Sequence, residues 1–116
     1  MTDRPSTDAL RRALTPLARM GVTIGYAQAA AAFGLAPPGA IRRLTDALEA
    51  LMAEDAEAGR PFLAAVVVSP RRGGLPAPGY FATAAALGRP VPAGVEAAAH
   101  RAELEALRGP GGAPRR

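Results

Sequence analysis

The chain has 116 residues, of which 49% are hydrophobic, and it carries a formal net charge of +4. This length suits one compact domain with a single core, and no apolar run reaches the roughly 18 residues that a membrane-spanning helix needs. The absence of cysteine excludes disulfides, thiolate metal sites and a cysteine nucleophile, while a single histidine, His100, leaves no histidine metal cluster. The polar N-terminus is not typical of a signal peptide, so we expect a soluble cytoplasmic protein without cofactor or metal.

All fourteen basic residues are arginine. A positive balance favours an anionic partner, and the guanidinium group is suited to phosphate and to guanine. Together with abundant alanine, glycine and proline, the preference for arginine is also typical of GC-rich coding sequences. We prefer this second explanation of the composition, so the position of each arginine matters more than their number.

The first half of the chain predicts helices around a short strand. Apolar residues three and four apart predict a helix over residues 7–20, which Pro16 should kink or split because it lacks a backbone donor. The β-branched segment 22–24 predicts an edge strand. Alanine-rich residues 27–34 predict a small helix that Gly34 closes with a left-handed C-cap.

The second half begins with a longer helix. A proline-rich start and an apolar stripe predict this helix over residues 38–59. The continuous apolar run 62–68 predicts a core strand, and the turn-forming residues 69–74 predict a hairpin with a short return strand. The remaining predictions are two helices and a disordered Gly/Pro/Arg tail, over residues 80–87, 94–108 and 109–116.

Between residues 21 and 79 the order is strand, small helix, longer helix, strand and hairpin. This order is typical of a winged helix-turn-helix, whose second motif helix enters a DNA groove and whose wing contacts the backbone. We therefore predict an α+β fold in which residues 1–108 form one winged-helix domain with additional C-terminal helices.

Basic residues fall at both predicted contact places. Arg42 and Arg43 begin the longer helix, where side chains of such a motif meet base edges, and Arg71 and Arg72 lie at the wing tip, where phosphate is contacted. The alternative is that all four are ordinary surface arginines. These positions predict a non-enzymatic DNA-binding protein, either a transcriptional regulator or a DNA-structure accessory.

A second hypothesis starts from the acidic end of the longer helix. Its charges oppose the helix macrodipole, which indicates either that another interaction requires them or that they simply face solvent. The hypothesis is a protein-protein adaptor that uses this acidic face or the apolar C-terminal helix. Separately, we expect His100, on that last helix, to lie at the surface. The acidic face comprises Glu49, Glu54, Asp55 and Glu57. The carboxylates of this helix do not form one continuous catalytic face, so we predict no enzyme activity.

Two segments resemble the DNA-binding half of alkylguanine-DNA alkyltransferases and of the non-catalytic alkyltransferase-like proteins. They are TIGYAQAAAAFG, residues 23–34, and AIRRLTDAL, residues 40–48. The resemblance matches Tyr26 to the motif tyrosine and Arg42 to the arginine that enters the base stack when a nucleotide is flipped out. It implies a winged-helix fold and DNA binding, with Tyr26 as a fifth nucleic-acid contact beside the four arginines. The segment matching the family's reactive-cysteine stretch reads PFLA, residues 61–64, so the resemblance does not extend to alkyl transfer.

The chain resembles more closely a group of small bacterial proteins. They share a T-Y-x-x-L-A helix, a buried strand ending in Val-Val and the signature G-L-P-x-x-G-[FY]-F, here GLPAPGYF at residues 74–81. This resemblance carries no activity with it. Neither the DNA sequence recognised nor the oligomeric state follows from the sequence.

Overall fold

The computed structural model describes residues 4–112 as a mostly helical α+β fold with a two-stranded sheet. The α+β class is therefore confirmed. The helices in this part of the chain are α1 (Thr7–Met20), α2 (Tyr26–Ala32), α3 (Ala40–Ala58), α4 (Pro78–Ala86) and α5 (Glu96–Gly112). The strands are β1 (Ile24–Gly25) and β2 (Val67–Val68), and 3₁₀ helices cover Leu63–Val66 and Pro70–Arg72.

Helix α1 has the bounds that its apolar spacing predicts. Ser6 is the N-cap, and its Oγ accepts a hydrogen bond from the N–H of Ala9 at 3.0 Å. Gly21 ends the helix in the left-handed region, at φ 71°. The predicted split at Pro16 is wrong: the helix continues through this residue, because its apolar stripe is buried on both sides of the proline. That stripe consists of Leu10, Leu14 and Ala18.

The apolar run 62–68 lies at the centre of the core, but it is not the predicted strand. All seven residues are buried, and the 3₁₀ helix Leu63–Val66 occupies most of the run. A segment that is buried on every side is apolar throughout, so its sequence has no hydrophobic period that would distinguish a strand from a helix. Helices α1, α3 and α5 enclose this segment. The strand is confined to β2, which pairs in parallel with β1 through Ile24 opposite Val67.

Side chains of α5 satisfy backbone groups that this enclosed segment cannot pair within a sheet. A carboxylate oxygen of Glu103 accepts a hydrogen bond from the N–H of Phe62 at 2.6 Å. His100 Nε2 lies 2.8 Å from the carbonyl oxygen of Ala65, and since a carbonyl only accepts, Nε2 is the donor. The predicted surface position of His100 is therefore wrong: it is 7% exposed, because a buried carbonyl requires a donor there.

Asp55 is buried too, which corrects its assignment to an exposed acidic face. Its Oδ1 accepts hydrogen bonds from Arg11 and Arg60, each at 2.9 Å, and its Oδ2 accepts one from the N–H of Leu63 at 3.0 Å. Partial burial opposes the charge of Arg11, but its bonds to Asp55 and to Glu54 raise the pKa of this guanidinium above its usual value. The carboxylate thus joins α1, the loop after α3 and the central 3₁₀ helix.

The hairpin after β2 is present in reduced form. Its return consists of one antiparallel bridge between Ser69 and Leu75, around the 3₁₀ helix Pro70–Arg72. Further along, α5 continues to Gly112 and thus includes the first residues of the segment predicted as disordered. The rest of that segment, residues 113–116, lies outside the described residues.

Candidate nucleic-acid interface

Helices α2 and α3 pack on each other and are joined by a loop with two left-handed glycines. Gly34 ends α2 at φ 71°, and the N–H of Leu35 donates to the carbonyl of Ala30 at 3.0 Å. Gly39 begins α3 at φ 82°, and no side chain caps this end of the helix. The first N–H groups of α3 therefore have no capping side chain, which leaves the positive end of the helix dipole available to an anion.

Arg43 holds this loop in place. Its two terminal nitrogens donate to the carbonyl oxygens of Pro38 and Ala36, each at 2.8 Å. The side chain is half-buried, and it satisfies carbonyls of a loop in which prolines supply no donors. The guanidinium predicted to contact nucleic acid is thus directed at the protein's own backbone.

Arg42, one position earlier, is directed into solvent. Its side chain is 82% exposed, and its closest carboxylate is Asp46 at 3.7 Å, one turn along the helix. An exposed pair at this distance holds the side chain weakly. Next to it, Ile41 is also exposed, at 44%. The first turn of α3 thus presents an exposed cation beside an exposed apolar side chain.

Tyr26 and Arg72 both hold the segment that leads from the hairpin to α4. The Tyr26 hydroxyl accepts a hydrogen bond from the N–H of Ala77 at 2.9 Å. Burial raises the pKa of Tyr26, while the hydrogen bond from Ala77 and the charge of Arg72 oppose this rise. Arg72 Nε donates to the carbonyl of Pro76 at 3.1 Å, although the residue as a whole is exposed.

Arg71 has no such attachment. It is exposed at the tip of the hairpin and makes no hydrogen bond or ion pair within the described residues. Of the five predicted contact residues, Arg42 and Arg71 are thus directed outward, Arg72 is exposed with one nitrogen engaged, and Tyr26 and Arg43 support loops. Their roles as nucleic-acid contacts stay a prediction.

Three other arginines line the same cavity, although no pattern in the sequence predicts that they meet. Arg11 and Arg19 on α1 and Arg60 after α3 line one open cavity of about 540 Å³, which residues of α5 line on its other side. No local motif predicts this cluster, because its members belong to elements that meet only through packing. Among residues 4–112, no three His, Asp or Glu side chains are grouped as metal ligands.

No helix in the described part of the chain combines the length and the apolar character that crossing a bilayer requires. Comparison of the chain with protein-family models, with curated proteins and with solved structures finds no match.

Proposed function

We propose that this protein is a non-enzymatic DNA-binding protein of the winged-helix type, a transcriptional regulator or a DNA-structure accessory. The contacts are the first turn of α3 in a groove and the hairpin after β2 on the backbone. The observation that carries the proposal is the contrast at the start of α3, where Arg43 is bound to its own loop while Arg42 extends into solvent.

The chemistry of this end of α3 favours phosphate. Uncapped N–H groups and the helix dipole attract an anion, and Arg42 adds a full charge in the same turn. Ile41 offers an apolar contact of the kind that a thymine methyl group accepts. At the hairpin, Arg71 and Arg72 supply two further guanidinium groups for the backbone.

Few contacts imply modest affinity with a shallow dependence on salt. Each phosphate neutralised contributes about 0.9 to the slope of log K against log salt, so three arginines give a slope between about −2 and −3. We expect micromolar binding in which backbone contacts exceed base contacts.

The test is fluorescence anisotropy of labelled duplex and single-stranded DNA at two salt concentrations. Arg42→Ala and Arg71→Ala should each weaken binding and reduce the magnitude of the salt slope by about one unit. Arg101→Ala removes another exposed arginine, from α5, and should leave binding unchanged. Arg43→Ala should lower the free energy of unfolding, which Arg42→Ala should not. Absence of binding at low salt, or equal losses in all variants, would contradict the proposal.

The alternative, a protein-protein adaptor, has less support from the contacts. Asp55 is buried, and Glu54 accepts hydrogen bonds from Thr7 and Arg11, so two of the four acids proposed for its interface are engaged within the chain. Helix α5, its other proposed surface, packs on α1. A failure to bind DNA would favour this alternative. Its interface would then use Glu49 and Glu57, which are both exposed.

A further inference from the structure

One cavity among the described residues lies away from the proposed DNA contacts. It has a volume of about 540 Å³ between α1, α5 and the loop after α3, within the range of small-molecule sites. Its apolar walls include Ala18, Leu63 and Leu107, and its charged rim consists of Arg11, Arg19 and Arg60. Apolar walls with a cationic rim suit a ligand that has one hydrophobic part and one acidic part.

The charges at the rim do not cancel. Asp55 reaches the cavity, but both of its oxygens already accept hydrogen bonds. Arg11 is shared between Asp55 and Glu54. Arg60 uses Nε alone toward Asp55, and Arg19 is exposed without a hydrogen bond or ion pair in the part of the chain that the structure describes. Three guanidinium groups against two carboxylates leave one positive charge without an anion.

One of the donors, Arg60, is also held in position. Arg89 donates to the carbonyl oxygen of Arg60 at 2.7 Å, and Asp55 fixes the Arg60 side chain at Nε. The two terminal nitrogens of Arg60 remain as a fork, the arrangement that binds a carboxylate or phosphate with two parallel hydrogen bonds. A donor that is already ordered loses less entropy when a ligand binds.

We propose that this cavity binds a small amphipathic organic anion. Its carboxylate or phosphate lies against Arg19 and Arg60, and its hydrocarbon part lies on Ala18, Leu63 and Leu107. The proposal does not depend on DNA binding, because Arg42 and Arg71 take no part in lining the cavity.

Three eight-carbon probes test the proposal: octanoate, octyl phosphate and octan-1-ol, each titrated below its aggregation concentration into ¹⁵N-labelled protein. We expect saturable amide shifts at Leu63 and Leu107 with at least one of the two anions, and about tenfold weaker binding of the alcohol. Binding of octanoate alone identifies a carboxylate site, binding of octyl phosphate alone a phosphate site, and either result supports the proposal.

Two variants test separately how the charge and the volume of the cavity contribute to binding. Arg19→Gln removes the unpaired cation and should weaken anion binding by about three- to tenfold. Ala106→Trp keeps every charge and fills the cavity, so it should abolish binding. Both positions are exposed, so neither change should unfold the protein. Arg101→Gln, at an exposed position on α5, is the matched control and should bind like the unaltered chain.

Three results would overturn the proposal. The first is equal binding of octan-1-ol and octanoate, which would make the site merely apolar. The second is unchanged binding in Arg19→Gln and Ala106→Trp. The third is amide shifts that map away from Leu63 and Leu107. Arg42→Ala, which tests DNA binding, should leave the octanoate titration unaltered, so the two proposals can fail separately.

Discussion

Asp55 connects three parts of the chain through one carboxylate, although the sequence places it within a run of acids. A signal for its burial was present: Asp55 follows Leu51 and Met52 by four and three residues, so it continues the apolar face of α3. The side chain therefore points into the protein, where two guanidinium groups and the N–H of Leu63 bind it. The local pattern fixes the direction of such a side chain but does not identify its partners.

Replacing this carboxylate should be costly. Asp55→Asn leaves Arg11 and Arg60 without their shared anion, and we expect the free energy of unfolding to fall by about 2–4 kcal/mol. The fall is nearer to about 2 kcal/mol if water hydrates the partly exposed guanidinium groups of Arg11 and Arg60. Urea denaturation followed by circular dichroism measures the change. Glu57→Gln, at an exposed position of the same helix, should stay within about 0.5 kcal/mol of the unaltered chain. Similar effects of both substitutions would contradict the role of Asp55.

At the scale of elements, local patterns predicted helices better than strands. The order and approximate bounds of the helices follow from apolar spacing and glycine C-caps, which act within a few residues. The strand prediction for the run 62–68 is wrong outside β2, because a segment that is apolar on all sides fits a buried strand and a buried 3₁₀ helix equally well. Contacts with Glu103 and His100 on the distant α5 make the 3₁₀ form possible, since they satisfy its backbone groups.

Helix α1 lacks one backbone hydrogen bond that a substitution can restore. Pro16 cannot donate to the carbonyl of Arg12, yet the helix continues through it. Pro16→Ala should restore that hydrogen bond and raise the free energy of unfolding by about 1–2 kcal/mol, after allowing for the greater freedom of the unfolded chain.

Replacing a loop proline should have the opposite effect on stability and serves as the control. Pro90→Ala, between α4 and α5, removes a restriction on the unfolded chain and should lower stability by about 0.4–1 kcal/mol. Thermal unfolding of the two variants and of the unaltered chain measures the direction of both changes in stability. A Pro16→Ala variant no more stable than the unaltered chain would show that packing has already compensated for the missing donor.

For the whole molecule, composition produces an unusually simple alkaline titration. The chain has neither lysine nor cysteine, so Tyr26 and Tyr80 are the side chains with ordinary pKa values between about 9 and 12. Burial raises the pKa of Tyr80, and the nearby negative charge of Glu103 raises it further. Burial also raises the pKa of Tyr26. Both phenols thus hold their protons more tightly in the folded state.

The sign of the pH dependence follows. Because the folded pKa values lie above the unfolded value of about 10, stability is full below pH 10 and falls as the pH rises beyond it. Absorbance of phenolate at 295 nm should therefore increase together with the loss of circular dichroism. Tyr80→Phe should shift this alkaline transition to higher pH. Ionisation of both tyrosines near pH 10 with an unchanged dichroism spectrum would contradict the prediction.

By itself, the sequence determined the extent of α1 and the glycine C-cap of α2, because these depend on contacts within one or two helical turns. The length of the chain and the order of its elements determined the single core and the α+β class. Tertiary structure alone decided which charged groups are available. Asp55 and His100 are buried because Arg11 and Ala65, their partners, come from distant parts of the chain. Arg43, unlike Arg42, is bound to its loop because the fold of residues 36–39 places two carbonyl oxygens beside its guanidinium group. The arginine-lined cavity belongs to the same category: adjacent positions in a sequence do not specify which side chains meet when helices pack.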